Sequence, residues 1–237
     1  MTLKRWTTIA LCALALCGAG AAQAQLYFRG DIGASLSTSA NFGDNESNNF
    51  LICGNAPCTV PGRFSDFGSA GVLDAGMGAR IGPNARIEAA LGYRNYALRA
   101  FDAGVPSAEF KANISSVSAM ANAYYDFAGP GWVPYLGLGI GTAQNKIDTL
   151  SFTDGFSFFG SVPGGTKSNF AWSLMAGAGL PLSRDTTLDL GYRYMDLGKV
   201  EIPAGVPVTS NGVIVPPPYG GATGNLRAHE FTIGVRF

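Results

Sequence analysis

Charge is scarce in this chain. Aspartate, glutamate, lysine and arginine make up 14% of its 237 residues, where soluble domains average roughly 25%. The two signs balance at 16 each, so the basic excess with which nucleic-acid-binding domains hold phosphate is missing. Only one histidine is present, His229. That excludes a multi-histidine metal site, and His229-Glu230 lacks the second histidine of an H-E-x-x-H motif. There is no Gly-x-Ser-x-Gly nucleophile elbow. Past the N-terminal segment, no apolar run approaches the roughly 20 residues of a membrane helix. Glycine is abundant, with 33 residues, but follows no collagen period.

What the chain does have is alternation, and its last stretch shows it best. Phe231, Ile233, Val235 and Phe237 fall on one parity, and Glu230, Thr232, Gly234 and Arg236 on the other. Period two marks a strand. A terminal aromatic suits the interfacial girdle of a membrane barrel. The N-terminus supplies the matching address. Lys4 and Arg5 precede an apolar run, Ile9 to Leu16, and small residues lead to Ala22-Gln23-Ala24. This is a secretory signal pattern, with residues 1–24 removed and 25–237 forming the mature domain. Cys12 and Cys17 would leave with it; each follows a bulky leucine, which argues against a lipoprotein anchor. Loss of Lys4 and Arg5 leaves 14 cations against 16 anions.

Eight alternating segments are predicted, over 26–37, 69–81, 85–95, 114–127, 132–144, 169–180, 186–196 and 227–237. Three connections, at 82–84, 128–131 and 181–185, are short and rich in turn residues. Four, at 38–68, 96–113, 145–168 and 197–226, are long. Long and short connections alternate as extracellular loops and periplasmic turns do in outer-membrane barrels. The expected fold is all-β, an eight-stranded antiparallel up-and-down transmembrane barrel with four long extracellular loops and three short periplasmic turns.

A soluble lipocalin-type barrel also alternates, with its apolar face inward. Three features favour the opposite direction. The polar parity holds Gly76, Gly78, Gly137, Gly139, Gly141, Gly177 and Gly179, which make room inside a narrow barrel for a neighbour's large side chain. It also holds Arg29, Asp31, Asp74, Arg80, Arg86, Glu88, Arg94, Asp126, Asp189, Arg193, Glu230 and Arg236, mixed signs suited to pairing in a confined interior. On the apolar parity, aromatics gather at strand ends. Phe28, Tyr125, Phe127, Trp132 and Phe237 fall at the periplasmic level; Tyr93, Phe170, Trp172, Tyr192 and Tyr194 fall near the other edge. Aliphatic residues such as Leu138, Leu174 and Ile233 lie between. Two aromatic belts around an aliphatic band fit a bilayer.

Several of these stretches are similar to a known family. Ala121-Asn122-Ala123-Tyr124-Tyr125-Asp126-Phe127, the strand Pro134 to Gly141, Tyr192-Arg193-Tyr194-Met195-Asp196-Leu197-Gly198 and the terminal Phe237 resemble small Gram-negative outer-membrane barrels of the OmpA and opacity type, the "porin family". The resemblance implies roles in envelope integrity, adhesion or surface antigenicity. It also implies assembly by periplasmic chaperones and the barrel-insertion machinery, which would read Phe231, Ile233, Val235 and Phe237 as the terminal signal. Lipopolysaccharide is the expected neighbour. Unlike full-length OmpA, the sequence ends at the barrel, so no peptidoglycan-binding domain is expected. Phe231 stands where lipid A deacylases of this architecture would place serine, so no enzyme is expected; nor is a cofactor or a metal, with a single histidine in the chain.

The inward charges read either as a polar plug or as a narrow ion path; a side-chain-filled eight-stranded interior favours the plug. Cys53 and Cys58 enclose Gly54-Asn55-Ala56-Pro57 in the first loop, and a disulfide staple fits an oxidising periplasm. A two-thiolate metal site lacks further ligands nearby. Asp44, Glu46 and Asn48 lack the glycine and closing glutamate of a calcium loop. Gly137-Leu138-Gly139-Ile140-Gly141 lies within a strand and opens no helix. Phe152, Phe156, Phe158 and Phe159 in the third loop, and Val213, Ile214 and Val215 in the fourth, are apolar where loops are usually polar. They are either contact sites for a host or cell-surface ligand or packing between loops and lipid. A barrel of this kind migrates at different apparent masses before and after boiling on a denaturing gel. A single position at both temperatures would refute it.

Overall fold

A computed structural model describes residues 25–38, 43–44, 68–101, 109–127, 129–153, 159–204, 208–215 and 221–237. Eight long strands form the wall: β1 (Leu26–Ser37), β2 (Ser69–Ile81), β3 (Ala85–Phe101), β4 (Glu109–Asp126), β5 (Val133–Ile147), β6 (Thr166–Pro181), β7 (Thr187–Ile202) and β8 (Ala222–Arg236). Each pairs antiparallel with its neighbours in sequence, and β1 closes on β8 from Arg29↔Arg236 to Ser37↔Ala228. Reciprocal backbone bonds between Phe28 and Phe237, 2.7 and 2.9 Å, finish the closure. A closed ladder leaves no unpaired edge in lipid, the condition for strands to cross a membrane.

The lipid-facing parity is the apolar one, as the sequence predicts. Ile32, Leu73, Leu91, Leu138 and Phe231 all stand exposed on the outer wall. Buried positions alternate with them along every strand.

The strand boundaries depart from expectation in one direction. β1 and β2 match, but β3 to β8 each run three to six residues further at the extracellular end, through stretches predicted as loop. At 17 and 18 residues, β3 and β4 rise roughly 45 Å when tilted about 40°. The apolar band is only about 25 Å tall. The barrel therefore stands well clear of the bilayer.

In that upper part the two faces exchange character. Outward positions become polar: Asn95, Lys111, Asn113, Gln144, Lys146, Asn225 and Arg227 are all exposed. Inward positions become apolar: Tyr96, Leu98, Ile114, Ile147, Met195, Leu197, Val200 and Leu226 are buried together. Water outside, rather than lipid, now makes an apolar interior the stable choice. The predicted rule of apolar out and charged in holds only across the bilayer.

β6 and β7 part company at the same height. Their ladder stops at Trp172↔Asp196, and β7 carries a bulge between Asp196 and Gly198. Gly198 has φ +77°, and a Cβ there would lie 2.4 Å from Asn169, so only glycine fits. Side-chain amides replace the missing ladder. Asn145 donates to the carbonyls of Leu197 (2.9 Å) and Lys199 (3.1 Å), and Asn169 to that of Lys199 (2.8 Å).

Inside the membrane zone a glycine makes room for an aromatic. A Cβ on Gly137 would meet the Tyr124 ring at 2.6 Å, whereas one on outward-facing Gly71 meets nothing within 4 Å. Gly137→Val is expected to cost about 1–3 kcal/mol through overpacking. Gly71→Val should be nearly neutral. Urea unfolding in lipid vesicles measures both, and equal losses would sink the packing account.

Candidate functional site

The lumen is filled in four tiers, three of paired charge and one apolar. At the periplasmic end Arg86 grips Asp126 in a fork, with Nε to Oδ2 2.8 Å and Nη2 to Oδ1 2.9 Å. Its guanidinium carbon lies 4.5 Å from the Tyr124 ring centroid, 5.2 Å from Tyr135 and 5.8 Å from Tyr27. A desolvated guanidinium against aromatic faces gains cation–π attraction. Arg80 reaches Asp126 at 3.6 Å from the half-open mouth, and Arg236 stands 3.5 Å from Asp189.

In the middle tier, Arg29 holds Asp31 at 2.6 Å and Glu88 at 3.4 Å. Glu88 also accepts from the hydroxyls of Tyr27 and Tyr124 and from Asn122, each at 3.2 Å. Above it, Glu230 is the hub. Arg94 donates to it through Nε at 2.8 Å and Nη2 at 3.1 Å, Arg193 through Nε at 2.7 Å and also through Nη2, and Ser35 at 3.2 Å. Arg94 and Arg193 both reach Asp74, and Arg94 also bonds Ser118 at 2.9 Å. This one cluster joins β1, β2, β3, β4, β7 and β8.

The apolar tier described above lies over the Glu230 cluster. Leu150 and Val162, from the third extracellular connection, are buried in it and roof the lumen. The twelve inward charges of the sequence reading thus comprise six arginines and six carboxylates, all on the inner wall. Sequence reading missed their partners: Tyr27, Ser35, Tyr124, Tyr135, Ser118 and Asn122. A signal was present, because each sits at even spacing from a charge or glycine already assigned inward.

The aromatics expected to form the two girdles lie on the outer wall. Phe28 and Phe237 have centroids 6.2 Å apart, and Tyr125 and Phe127 5.0 Å, at the periplasmic level. Trp172 and Tyr194, 5.6 Å apart, lie at the opposite edge. Tyr93, Trp132, Phe170 and Tyr192 are also exposed, as are Phe231, Ile233 and Val235 of the last strand.

The extracellular connections build a second structure. Beyond Ile114 the top of β4 leaves β5 and pairs with Leu150–Thr153. That strand pairs with Phe159–Val162, which pairs with Val208–Ser210, which turns back to Val213–Val215. Asn211 and Gly212, at φ 49° and 78°, supply the tight turn. Phe159, Val213 and Ile214 are exposed at 57%, 65% and 68%. Cys53, Cys58, Glu46, Asn48, Phe156 and Phe158, and the side chains of Phe152 and Val215, lie outside the described residues.

A family model described as the outer membrane protein beta-barrel domain matches residues 9–237. The chain belongs to this family. Its members reside in the bacterial outer membrane, and the exposed apolar band of this chain faces that membrane's lipid. A 93-residue stretch is 31% identical to outer membrane protein PagN of Salmonella typhimurium, spanning 39% of this chain and 38% of PagN. Over 83 residues the chain is 42% identical to an uncharacterized protein of Brucella abortus, covering 33% of this chain and 29% of that one. The matched stretches are thus well under half the length of these relatives. The structure of OprG from Pseudomonas aeruginosa, 12% identical, superposes with a TM-score of 0.55 over 91% of this chain and 97% of OprG, and shows the same fold.

Glu230→Ala would leave two buried guanidinium groups without their shared acceptor. It is expected to lower stability by about 3–5 kcal/mol. Glu201, paired with Lys167 on the open rim, should cost at most about 1 kcal/mol when changed to alanine. Unfolding in lipid vesicles gives both values; comparable losses would remove the Glu230 cluster from its central place.

Proposed function

We propose that this protein is a surface-interaction protein of the outer membrane, with the barrel as a rigid stand and recognition carried by its extracellular β-extension. The observation that carries the reading is the apolar surface at the tip of that extension. Val213 and Ile214 are two-thirds exposed at the far edge of a sheet that is continuous with β4. Exposed apolar patches on an ordered support mark contact sites, and Val213–Val215 is an edge strand among the described residues, the kind of edge on which a partner strand can add. Residues 1–24 would serve as the secretory leader, and a Cys53–Cys58 disulfide would staple the first loop. Chaperones and the insertion machinery would handle the Phe237-ended strand during assembly.

The filled lumen supports a non-conducting role over a narrow channel. An ion entering from the periplasm meets charges already engaged in ion pairs, Arg86 with Asp126 and Arg94 and Arg193 with Glu230, and then a buried apolar tier. An enzyme is disfavoured as well. His229 bonds the Tyr192 hydroxyl on the outer wall at 2.7 Å, whereas Ser35 and Ser37, which flank its β1 ladder partner Leu36, share the inward parity.

Two measurements test this. Single-channel recordings of the reconstituted protein should show no stable nanosiemens-scale opening; such an opening would favour the channel. Val213→Ser with Ile214→Ser, in a chain that still shows the heat-dependent gel shift, should reduce attachment of expressing cells to a host-cell monolayer several-fold. Undiminished attachment would leave the extension without a recognition role.

A further inference from the structure

The outer wall of β6, β7 and β8 carries a feature that neither lumen nor loops explain. Three successive outward rows descend toward the bilayer. The top row sets Asp196 beside Trp172 and Arg227, the next pairs Tyr194 with His229, and the third pairs Tyr192 with Phe231. The rings form one continuous shelf. Trp172 and Tyr194 lie 5.6 Å apart, Tyr194 and His229 5.3 Å, and Tyr192 and Phe231 5.4 Å, with Tyr192 stacked on His229 at 5.9 Å.

Polar groups at this height are placed selectively. His229 shares the outward parity with Phe231 and Ile233, where an unpartnered ring nitrogen is costly in lipid. The Tyr192 hydroxyl satisfies Nδ1 at 2.7 Å, while Nε2 has no partner among the described residues. Arg227 spends Nε on Asp196 at 2.9 Å with half of its side chain exposed. Its Nη groups bond no other described side chain. Lys199 is exposed one step higher on β7, and the adjacent Glu201 is already taken by Lys167. The patch therefore has one uncompensated cation directly above a ring-lined apolar shelf.

We propose that this wall is a binding site for a phosphorylated glycolipid of the outer leaflet. Its acyl chains lie over Phe231, Tyr192 and the aliphatic band below. Its phosphate accepts hydrogen bonds from the Arg227 Nη groups and from His229 Nε2–H, with Lys199 adding charge from above. The match is one of order as well as sign: an anionic headgroup and its tails follow the same vertical sequence as cation, aromatic shelf and aliphatic band. The site continues the lipid-facing surface already described. Its occupant is thus a lipid held in place, distinct from the bulk of the leaflet.

Native mass spectrometry of the detergent-solubilised protein tests the site, with bis-phosphorylated lipid A, the same lipid stripped of phosphate, and inorganic phosphate as probes. The wild type should retain the phosphorylated lipid at least ten-fold better than the stripped one. Arg227→Ala with His229→Phe should abolish that preference while keeping the heat-dependent gel shift. Lys111→Ala, on a distant part of the wall, should not. Equal retention of both lipids, or a preference that survives the double substitution, overturns the proposal. So does an equal loss in Lys111→Ala, which would mean general attraction between opposite charges. Complete displacement by millimolar inorganic phosphate would mark a free-phosphate site and overturn it too.

Discussion

Eight strands closed on themselves leave an interior no wider than the side chains that fill it. Any inward group must find its partner among other inward groups, because little water is there to substitute. The Glu230 cluster is how this chain meets that constraint across the bilayer. A carboxylate from β8 takes donors from β1, β3 and β7, and Asp74 of β2 shares the same two arginines. Removing one member leaves several groups short, so the cluster fixes register between strands as much as it holds them together. A one-residue slip of β8 would carry Glu230 to the lipid face.

Height sets everything else. Through the bilayer, lipid outside and paired charge inside make the wall read as inverted relative to a soluble protein. Above it, water outside turns the same alternation over. The change happens within single strands: in β3, Arg94 belongs to the charged cluster, while Tyr96 and Leu98, next on the same parity, belong to the dry tier. The β3 backbone runs on unbroken through that point; what changes there is the medium outside.

That switch explains what was legible in the sequence and what was not. The barrel, its strand number, its turns and its lipid-facing residues all follow from one pattern, apolar out and charge or glycine in. Where the medium changes, the pattern reverses, and a search tuned to the bilayer reads the reversal as loop. Residues 96–101, 109–113, 145–147, 166–168, 197–202 and 222–226 were hidden in this way. The bulge at Gly198 hid β7 further, since it shifts the parity of Val200 and Ile202 against Met195. The interior tyrosines were hidden for another reason. Tyrosine is equally at home in a girdle and in a polar core, so Tyr124 and its neighbour Tyr125 look alike until parity is traced to Asp126.

The dry tier also bears on how the extension is held. Leu150 and Val162 are the first and last residues of its two inner strands, and both are buried among Ile147, Val200 and Ile202. Pulling the extension aside would therefore expose part of the apolar roof to water. A polar tier carried all the way up could not do this, because water replaces lost hydrogen bonds far more readily than it replaces apolar contact. The extension is thus rooted in the barrel by burial, with Val213 and Ile214 left at the far edge. A contact surface fixed in this way loses little conformational entropy when a partner docks.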